Sequence, residues 1–408
     1  MALKISKAMG VVGDRISGLP DELLHCIMSF LPARDAVRTC VLLPRWHRLW
    51  VSTPQLNVDA EGFSYEDTFV KFVTTLLLRR GCTPLDSFWL CANRPGIYLY
   101  NIYNSANNWI CHALRSNVQV LGIVEHWATG DEEEEDMEVV EDMMFKIDHY
   151  AFTSSYLKRL HLCCVSVSNR FTKQLFSGCP ALEDLEMINC NIYTSEFSSG
   201  TLKNLTIDYV GLPPYERQGN KLDFVINMPS LVLLCLGSLL CEMPSLVGMQ
   251  SLITASLSLD HPSVIFADAC DILGALSNVK NMELLFPCDV AGKSSLQSDM
   301  QLCRVVFSNL TTLSLSDWCL HGNCEALFYF FEHSPNLEEL TLKMRKQLGF
   351  RDHLNWFPIV AAGPETFNCD KLKKIEIICP KHDKRVSKLV AILFAKIISS
   401  PEISIKPF

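Results

Sequence analysis

The sequence predicts an α/β fold in which a short N-terminal helical module precedes an elongated solenoid with a parallel β-sheet. Two observations predict it: leucine and similar residues recur in one short spacing pattern over most of the chain, and three short helical patterns occupy residues 20–51. A chain of 408 residues, 49% of them hydrophobic, can bury such a core. We expect the helical module at 14–52, the solenoid at 53–368 and a terminal cap at 369–408.

The stretch LPDELLHCIMSFL at residues 19–31 predicts the first helix. Pro20 suits a helix start because its missing N–H would have no partner there, and Asp21 and Glu22 favour the positive end of the helix dipole. Apolar side chains surround nearly the whole helix. Such a helix must be buried on more than one face, so we expect one face against its own domain and another against a neighbour.

Two further short helices follow. Apolar residues at helical spacing in ARDAVRTCVLL predict the second, and Trp46 and Trp50 in PRWHRLW predict the third. A module of about 40 residues can seldom bury enough surface to fold alone. We therefore expect it to pack on the solenoid, on a partner, or on both.

The internal repeat follows the template L-x-x-L-x-L-x-x-C-x-I, seen in ALEDLEMINCNI at residues 181–192. This is the signature of a leucine-rich repeat, which contributes one short parallel strand to a curved stack. The intervals between copies are uneven, which indicates that the repeats differ in the length of the segments that connect their strands. Good copies begin at Leu157, Leu182, Leu202, Leu231, Leu310, Leu337 and Leu372, and weaker ones at Leu85, Val118, Leu252 and Val279.

The C-terminal region predicts a cap for the stack. The segment KHDKRVSKLVAILFAKIISS at residues 381–400 has apolar residues at helical spacing, and ISI follows at 403–405. A strand, a helix and a final strand suit the terminal repeat that a solenoid requires.

Charge is concentrated in one segment. The formal net charge is −9, and the run DEEEEDMEVVED at 131–142 carries nine acids and no base, so the charges of the remaining residues balance. We expect a solvated, mobile loop there rather than a docking site for a basic partner. The balance elsewhere argues against nucleic-acid binding.

The sequence offers little for metal or enzyme chemistry. Eighteen cysteines are scattered with no C-x-x-C pair, which is typical of small core residues in a reducing compartment. Cys319, His321, Cys324 and His333 come nearest to a zinc set but lack paired spacing, so we expect no metal and no cofactor. No apolar run is long enough to span a bilayer, so we expect no membrane partner and a location in the cytoplasm or nucleus.

Residues 14–50 closely resemble the F-box of plant F-box proteins. Leu-Pro at 19–20, Ala-Val-Arg-Thr at 36–39 and Arg-Trp-x-x-Leu-Trp at 45–50 stand in the order and spacing of that family, although Leu43-Pro44 replaces the usual small and basic pair. The remainder resembles the irregular leucine-rich repeats of many plant members. The segment CDKLKKIEIICPKHDKRVSKLVAIL at 369–393 resembles their C-terminal FBD type.

The resemblance implies a non-catalytic, substrate-recruiting subunit of a Skp–cullin–F-box ubiquitin ligase. Its F-box would bind a Skp-type adaptor and, through it, cullin, and its repeats would bind an unidentified target protein. Two other hypotheses remain: a cullin-independent interaction scaffold, and a small-molecule co-receptor. By family position, the adaptor contacts would be Leu19, Pro20, Leu23, Leu24, Ile27, Leu31, Val37, Val41, Trp46 and Trp50. We expect Leu24→Arg to abolish adaptor binding and to spare binding by the repeats.

Target recognition is expected on the concave side of the repeats. Side chains alternate along a strand, so the residues flanking the inward leucines point to that side. Acidic residues outnumber basic ones there, which disfavours an anionic cofactor and suggests a target with a basic segment, unless the face is merely solvated. The candidate target-binding residues are Arg159, His161, Asp184, Glu186, Asp208 and Glu283.

Overall fold

The computed structural model describes residues 16, 18–41, 44–92, 100–125, 145–147, 152–208, 224–237, 244–258, 269–285, 303–320, 324–345 and 366–408. The acidic run at 131–142 lies outside them, so the expectation of a mobile loop there stays a prediction. The chain divides into two compact units, Met1–Ala128 and Thr129–Phe408. The helical module and the strands up to residue 124 thus lie in the first unit.

The first unit joins the helical module to a parallel sheet. Its described elements are α1 (Asp21–Ser29), α2 (Ala33–Arg38), a 3₁₀ turn (Thr39–Val41), α3 (Pro44–Ser52), β1 (Gln55–Asp59), α4 (Glu66–Arg80), β2 (Ser87–Cys91), α5 (Tyr100–Arg115) and β3 (Val120–Val124). The three strands pair in parallel in the order β1-β2-β3. Pro20 occupies the N-cap position of α1, and the first helical residue is Asp21.

The second unit carries the main sheet. Its strands are β4 (Phe145–Lys146), β5 (Arg159–Cys163), β6 (Val165–Ser168), β7 (Asp184–Ile188), β8 (Asn191–Tyr193), β9 (Glu196–Ser198), β10 (Asn204–Asp208), β11 (Val225–Asn227), β12 (Leu233–Leu236), β13 (Ser245–Val247), β14 (Thr254–Ser258), β15 (Asn281–Leu285), β16 (Thr312–Ser316), β17 (Glu339–Lys343), β18 (Lys374–Cys379) and β19 (Glu402–Pro407). Its helical segments are α6 (Asn169–Gly178), α7 (Ala269–Ala275), a 3₁₀ turn (Asp317–Leu320), α8 (Glu325–His333) and α9 (Arg385–Lys396).

Ten of these strands form the solenoid sheet that the repeat predicts. Their order is β5-β7-β10-β12-β14-β15-β16-β17-β18-β19, with parallel pairing throughout. Each predicted repeat start is followed two residues later by a strand. The inward leucines align across strands, as Leu160, Leu185 and Leu205 do, and all three are buried. The predicted fold class is therefore confirmed.

Two small sheets accompany the main one. Strands β4, β6 and β8 form the first, and β9, β11 and β13 form the second, both with parallel pairing. The sequence analysis does not predict them as separate sheets, although Val165 and Val167 of β6 stand on the repeat template. They lie in the connections, whose lengths vary from repeat to repeat.

The C-terminal cap has the predicted strand, helix and strand in β18, α9 and β19. A buried ion cluster connects it to the repeats. Arg385 at the start of α9 donates to Asp383 over 2.6 Å and to Asp317 over 3.4 Å, and also to the Arg345 carbonyl over 2.8 Å. The guanidinium thus joins three segments of the second unit.

Seven of the fourteen described cysteines outside a disulfide are buried, as expected of small core residues, and seven are not. Cys179, Cys190 and Cys379, for example, are buried thiols that pack as small apolar side chains. Cys303 differs from the expectation because it is disulfide-bonded.

Candidate functional site

The helical module presents apolar side chains on the outside of α1. Leu23, Ile27 and Phe30 recur at i, i+4 and i+7 and are exposed, Phe30 by 81%. Leu24 and Met28, one position further along from Leu23 and Ile27, are buried in the core. The helix therefore buries one face within its own unit and leaves a second apolar face outward.

The predicted adaptor contacts separate into three groups by burial. Pro20, Leu23, Ile27 and Val41 are exposed, and Leu19, Leu31 and Val37 are half-buried. Leu24, Trp46 and Trp50 are buried in the core of the unit, with Leu24 fully inaccessible. These last three have no surface to offer a partner, which corrects their assignment as adaptor contacts.

The structure also adds residues to this surface. Ile16 and Phe30 are exposed beside the predicted set and were not among the expected contacts. The signal for Phe30 was its position seven residues after Leu23, which places both on one side of the helix.

Arg45 fixes the start of α1 against α3. Its guanidinium donates to the Asp21 carboxylate through Nε, over 2.8 Å, and through Nη2, and it reaches the Leu19 carbonyl over 2.9 Å. Asp21 therefore serves both the helix dipole and this ion pair. His25 and Ser52 join the same two helices over 3.0 Å.

Arg80 ties the helical module to the first repeat, a role that the sequence analysis did not predict. Its side chain is buried at the end of α4 and donates to the carbonyls of Trp50, over 2.9 Å, and Thr53, over 2.7 Å. Burial lowers the pKa of Arg80 to about 10. The cation lies against carbonyl groups at the C-terminal end of α3, where the helix dipole is negative. Arg80 thus connects the end of α3 to the repeat that follows it.

Five of the six candidate target-binding residues come together on the open face of neighbouring strands. On β5 and β7, the His161 ring nitrogen Nδ1 lies 2.8 Å from the Glu186 carboxylate, and Arg159 lies 4.0 Å from Asp184. Burial raises the pKa of Asp184. Asp208 follows on β10, where its carboxylate lies over Gly237, so that a Cβ at Gly237 would come within 1.7 Å of it.

Glu283 does not belong to this group. Two strands, β12 and β14, separate β10 from β15, and Glu283 there accepts from Lys343 over 2.5 Å and from Ser256 over 2.8 Å. Burial alone would raise the pKa of Glu283, but these hydrogen bonds outweigh it and hold the pKa below its ordinary value. Lys343 already compensates its charge, so the candidacy of Glu283 as a target-binding residue stays a prediction without support from this pairing.

The four residues nearest to a zinc set show no ligand geometry in the part that the structure describes. His321 lies outside the described residues, and the His333 Nδ1 lies 2.9 Å from the Tyr329 carbonyl. Burial raises the pKa of the Cys324 thiol to about 12, which disfavours the thiolate that zinc requires. Across the described residues, no three His, Cys, Asp or Glu side chains could hold a metal ion. Nor is any described helix long and apolar enough to cross a membrane.

Comparison with known proteins decides the family. Residues 16–55 match the F-box domain family. An F-box/FBD/LRR-repeat protein of Arabidopsis thaliana is 30% identical over 402 residues, which cover 90% of this chain and 84% of the relative. The chain belongs to the plant F-box/LRR-repeat family. An FBD-associated F-box protein of the same plant is 29% identical to the present chain. The alignment covers 82% of the present chain and 76% of that relative.

Other relatives are longer than the matched region. The chain aligns with 41% of another Arabidopsis F-box/FBD/LRR-repeat protein, at 32% identity, and with 54% of an F-box/LRR-repeat protein, at 24% identity. It therefore spans about half the length of these two relatives.

Proposed function

We propose that this F-box/LRR-repeat protein is the substrate-recognition subunit of a Skp–cullin–F-box ubiquitin ligase, in the cytoplasm or nucleus. The supporting observation is the outward apolar face of α1, with Leu23, Ile27 and Phe30 exposed within the matched F-box. An exposed apolar helix face of this kind suits a partner groove. The parallel-strand sheet supplies a long polar surface for a target.

The proposed mechanism is proximity. An adaptor held on the α1 face would connect the chain to cullin, and a target held on the sheet would be kept near a charged ubiquitin carrier. Raising the local concentration of the target accelerates transfer without any catalytic group on this chain. Arg80 supports this geometry, because its two hydrogen bonds hold α3 against the first repeat.

The test is affinity capture of the tagged full chain from plant cells, followed by quantitative mass spectrometry. We expect a Skp-type adaptor and a cullin together with target proteins. In an Ile27→Asp variant, the adaptor and cullin should be lost while the targets remain. Repeat-dependent partners without adaptor or cullin in the wild-type capture would instead support the cullin-independent scaffold.

A second prediction concerns the acidic positions on β7. Asp184→Lys combined with Glu186→Lys should remove a basic target from the captured proteins by at least tenfold, because two attractive charges become repulsive. Glu339→Lys combined with Glu402→Lys makes the same charge change on two distant strands of the sheet and should leave that target bound. An unchanged partner list for the first variant would contradict target recognition at β7.

A further inference from the structure

Strand β19 ends the main sheet in the part of the chain that the structure describes. The backbone N–H groups of Glu402 and Phe408 donate to carbonyl groups at the two ends of β18. Alternate residues of a strand direct their backbone groups to the same side. The even-numbered residues of β19 therefore bond to β18, and the backbone groups of the odd-numbered residues face outward along an open edge.

Prolines limit this edge at both ends. Pro401 and Pro407 stand at outward positions and have no N–H, so within residues 401–407 the outward donors are those of Ile403 and Ile405. These two residues lie symmetrically about Ser404. A second β19 that runs antiparallel, with the two Ser404 residues opposite each other, would place Ile403 of each copy opposite Ile405 of the other. Their outward N–H and carbonyl groups would then all be paired, and the prolines would lie opposite each other, where no donor is needed.

The polar side chains of the edge match the same register. Glu402 would lie opposite Lys406 of the other copy, and Ser404 opposite its own counterpart. Glu402 is exposed, and the side chain of Lys406 is 64% exposed while it holds Glu376 over 2.8 Å. An ammonium group has three donors, so Lys406 can keep this contact and also reach Glu402 of a second copy. The Ser404 Oγ has no hydrogen-bond partner among the described residues, and the dyad would supply one.

The charges beside the edge balance. On the open face, the last two strands carry two basic and two acidic side chains, Lys374, Glu376, Glu402 and Lys406. Two copies that meet along this edge would therefore bring together faces without net charge. General repulsion between like-charged surfaces does not oppose the contact.

The apolar row of the sheet is incomplete at β19. Ile403 and Ile405 pair with Ile375 and Ile377 of β18, which are fully buried, yet Ile405 remains 50% exposed. A second copy would cover Ile405 with its own Ile403 and so extend the core across the dyad. Lysine and proline at a sheet edge ordinarily discourage pairing. Here the lysine meets an acidic residue at the matching position, and the prolines leave the two central donors available.

We propose that β19 pairs with β19 of a second copy of this chain, antiparallel and with Ser404 at the two-fold axis. The two sheets would then join into one across the edge. The paired segment is short, so we expect a reversible dimer with a dissociation constant in the micromolar range. This inference goes beyond the proposed function and does not depend on it, since it concerns the C-terminal cap, which lies far along the sheet from β7.

Sedimentation velocity of the purified full-length protein at increasing concentrations measures the association. We expect a monomer–dimer equilibrium for the wild type. Glu402→Lys should weaken it at least tenfold, because each copy then sets a lysine against Lys406 of the other. Lys406→Glu should weaken it similarly by opposing two carboxylates. Glu339→Lys makes the first charge change on β17, with β18 between it and the edge strand, and should leave the association within about twofold.

A mixture of the two edge variants separates the interface from the fold. Glu402→Lys protein combined with Lys406→Glu protein has opposite charges at both cross-strand positions, so the mixed dimer should form at least tenfold more tightly than either variant alone. Thermal unfolding of each variant reports the fold. A wild type that stays monomeric, an association that Glu402→Lys does not weaken, or a mixture that does not recover the dimer would each overturn the proposal. These measurements use the purified chain, so their failure leaves the capture of adaptor and cullin as a separate test of the proposed function.

Discussion

Ile27→Asp is expected to weaken adaptor binding by at least 100-fold while the chain stays folded. Ile27 is 43% exposed in the chain, so a carboxylate there remains hydrated in the free protein. In a complex that covers the outward face of α1, the same carboxylate would be desolvated without a partner, at a cost of about 3 kcal/mol. Each 1.4 kcal/mol is about tenfold in affinity. Calorimetric titration of the purified chain with a Skp-type adaptor measures the loss.

The matched control is Leu78→Asp. Like Ile27, Leu78 is an exposed aliphatic side chain on a helix of the first unit, with 75% of its surface accessible. Unlike Ile27, it lies on α4, outside the matched F-box. It should leave the adaptor affinity within about twofold. Full adaptor affinity of a folded Ile27→Asp variant would contradict the proposed adaptor surface, and so would an equal loss for Leu78→Asp.

Burial changes what is expected of Leu24→Arg. Leu24 is fully buried, so an arginine there must either leave the core or disrupt it. The variant would lose adaptor binding because the module unfolds, whereas Leu23→Arg, its exposed neighbour, should keep its thermal stability. A loss of adaptor binding in Leu24→Arg would therefore report unfolding of the helical module. Substitutions at the exposed residues Leu23 and Ile27 test the adaptor interface itself.

The repeats were predictable because one backbone geometry imposes one spacing. Leu, Ile, Val, Met and Ala at the inward positions differ in shape but share burial, so even the weak copy at Val279 aligns with its neighbours. The repeat template did not predict strand β1, because Thr53 stands at the position where the template has its first leucine. Thr53 is nevertheless buried, and its carbonyl accepts from Arg80.

The site was harder to predict than the fold. Helical spacing identifies the apolar residues of α1, Leu23 and Leu24 included, but it does not distinguish a face that packs internally from one that remains outward. That difference depends on which side α3 and β1 cover, and this is tertiary information. Likewise, the sequence shows that Glu283 is acidic, but it does not show that Glu283 pairs with Lys343, because the two residues are sixty positions apart.

Arg385→Met is expected to destabilise the C-terminal cap by about 3–5 kcal/mol at neutral pH, the usual cost of removing one partner from a buried ion pair. Arg385 and Asp317 are both buried, and Asp383 is nearly so, with side-chain exposures of 8%, 3% and 9%. Removing the cation leaves two desolvated carboxylates, and the Asp317 oxygen Oδ1 already has no hydrogen-bond partner. Chemical denaturation followed by circular dichroism measures the change.

The pH dependence of this loss tests its electrostatic origin. Burial alone would raise the pKa of Asp383, but hydrogen bonds and charge from Arg385 outweigh it and lower the pKa below its ordinary value. A carboxyl whose pKa falls on folding stabilises the fold above its unfolded pKa, near 4, and this contribution disappears as the pH drops through the folded value. The deficit of Arg385→Met should therefore shrink on acidification.

Charge removal provides the rescue for the same cluster. Asp317→Asn in the Arg385→Met background should recover part of the lost stability at pH 7, because one unpaired charge becomes a neutral amide of similar shape. Lys388→Met, on the exposed side of α9, controls for the substitution itself and should change stability by less than about 0.5 kcal/mol. A deficit that is independent of pH and is not reduced by Asp317→Asn would mean that Arg385 stabilises the cap through packing of its aliphatic stem rather than through its charge.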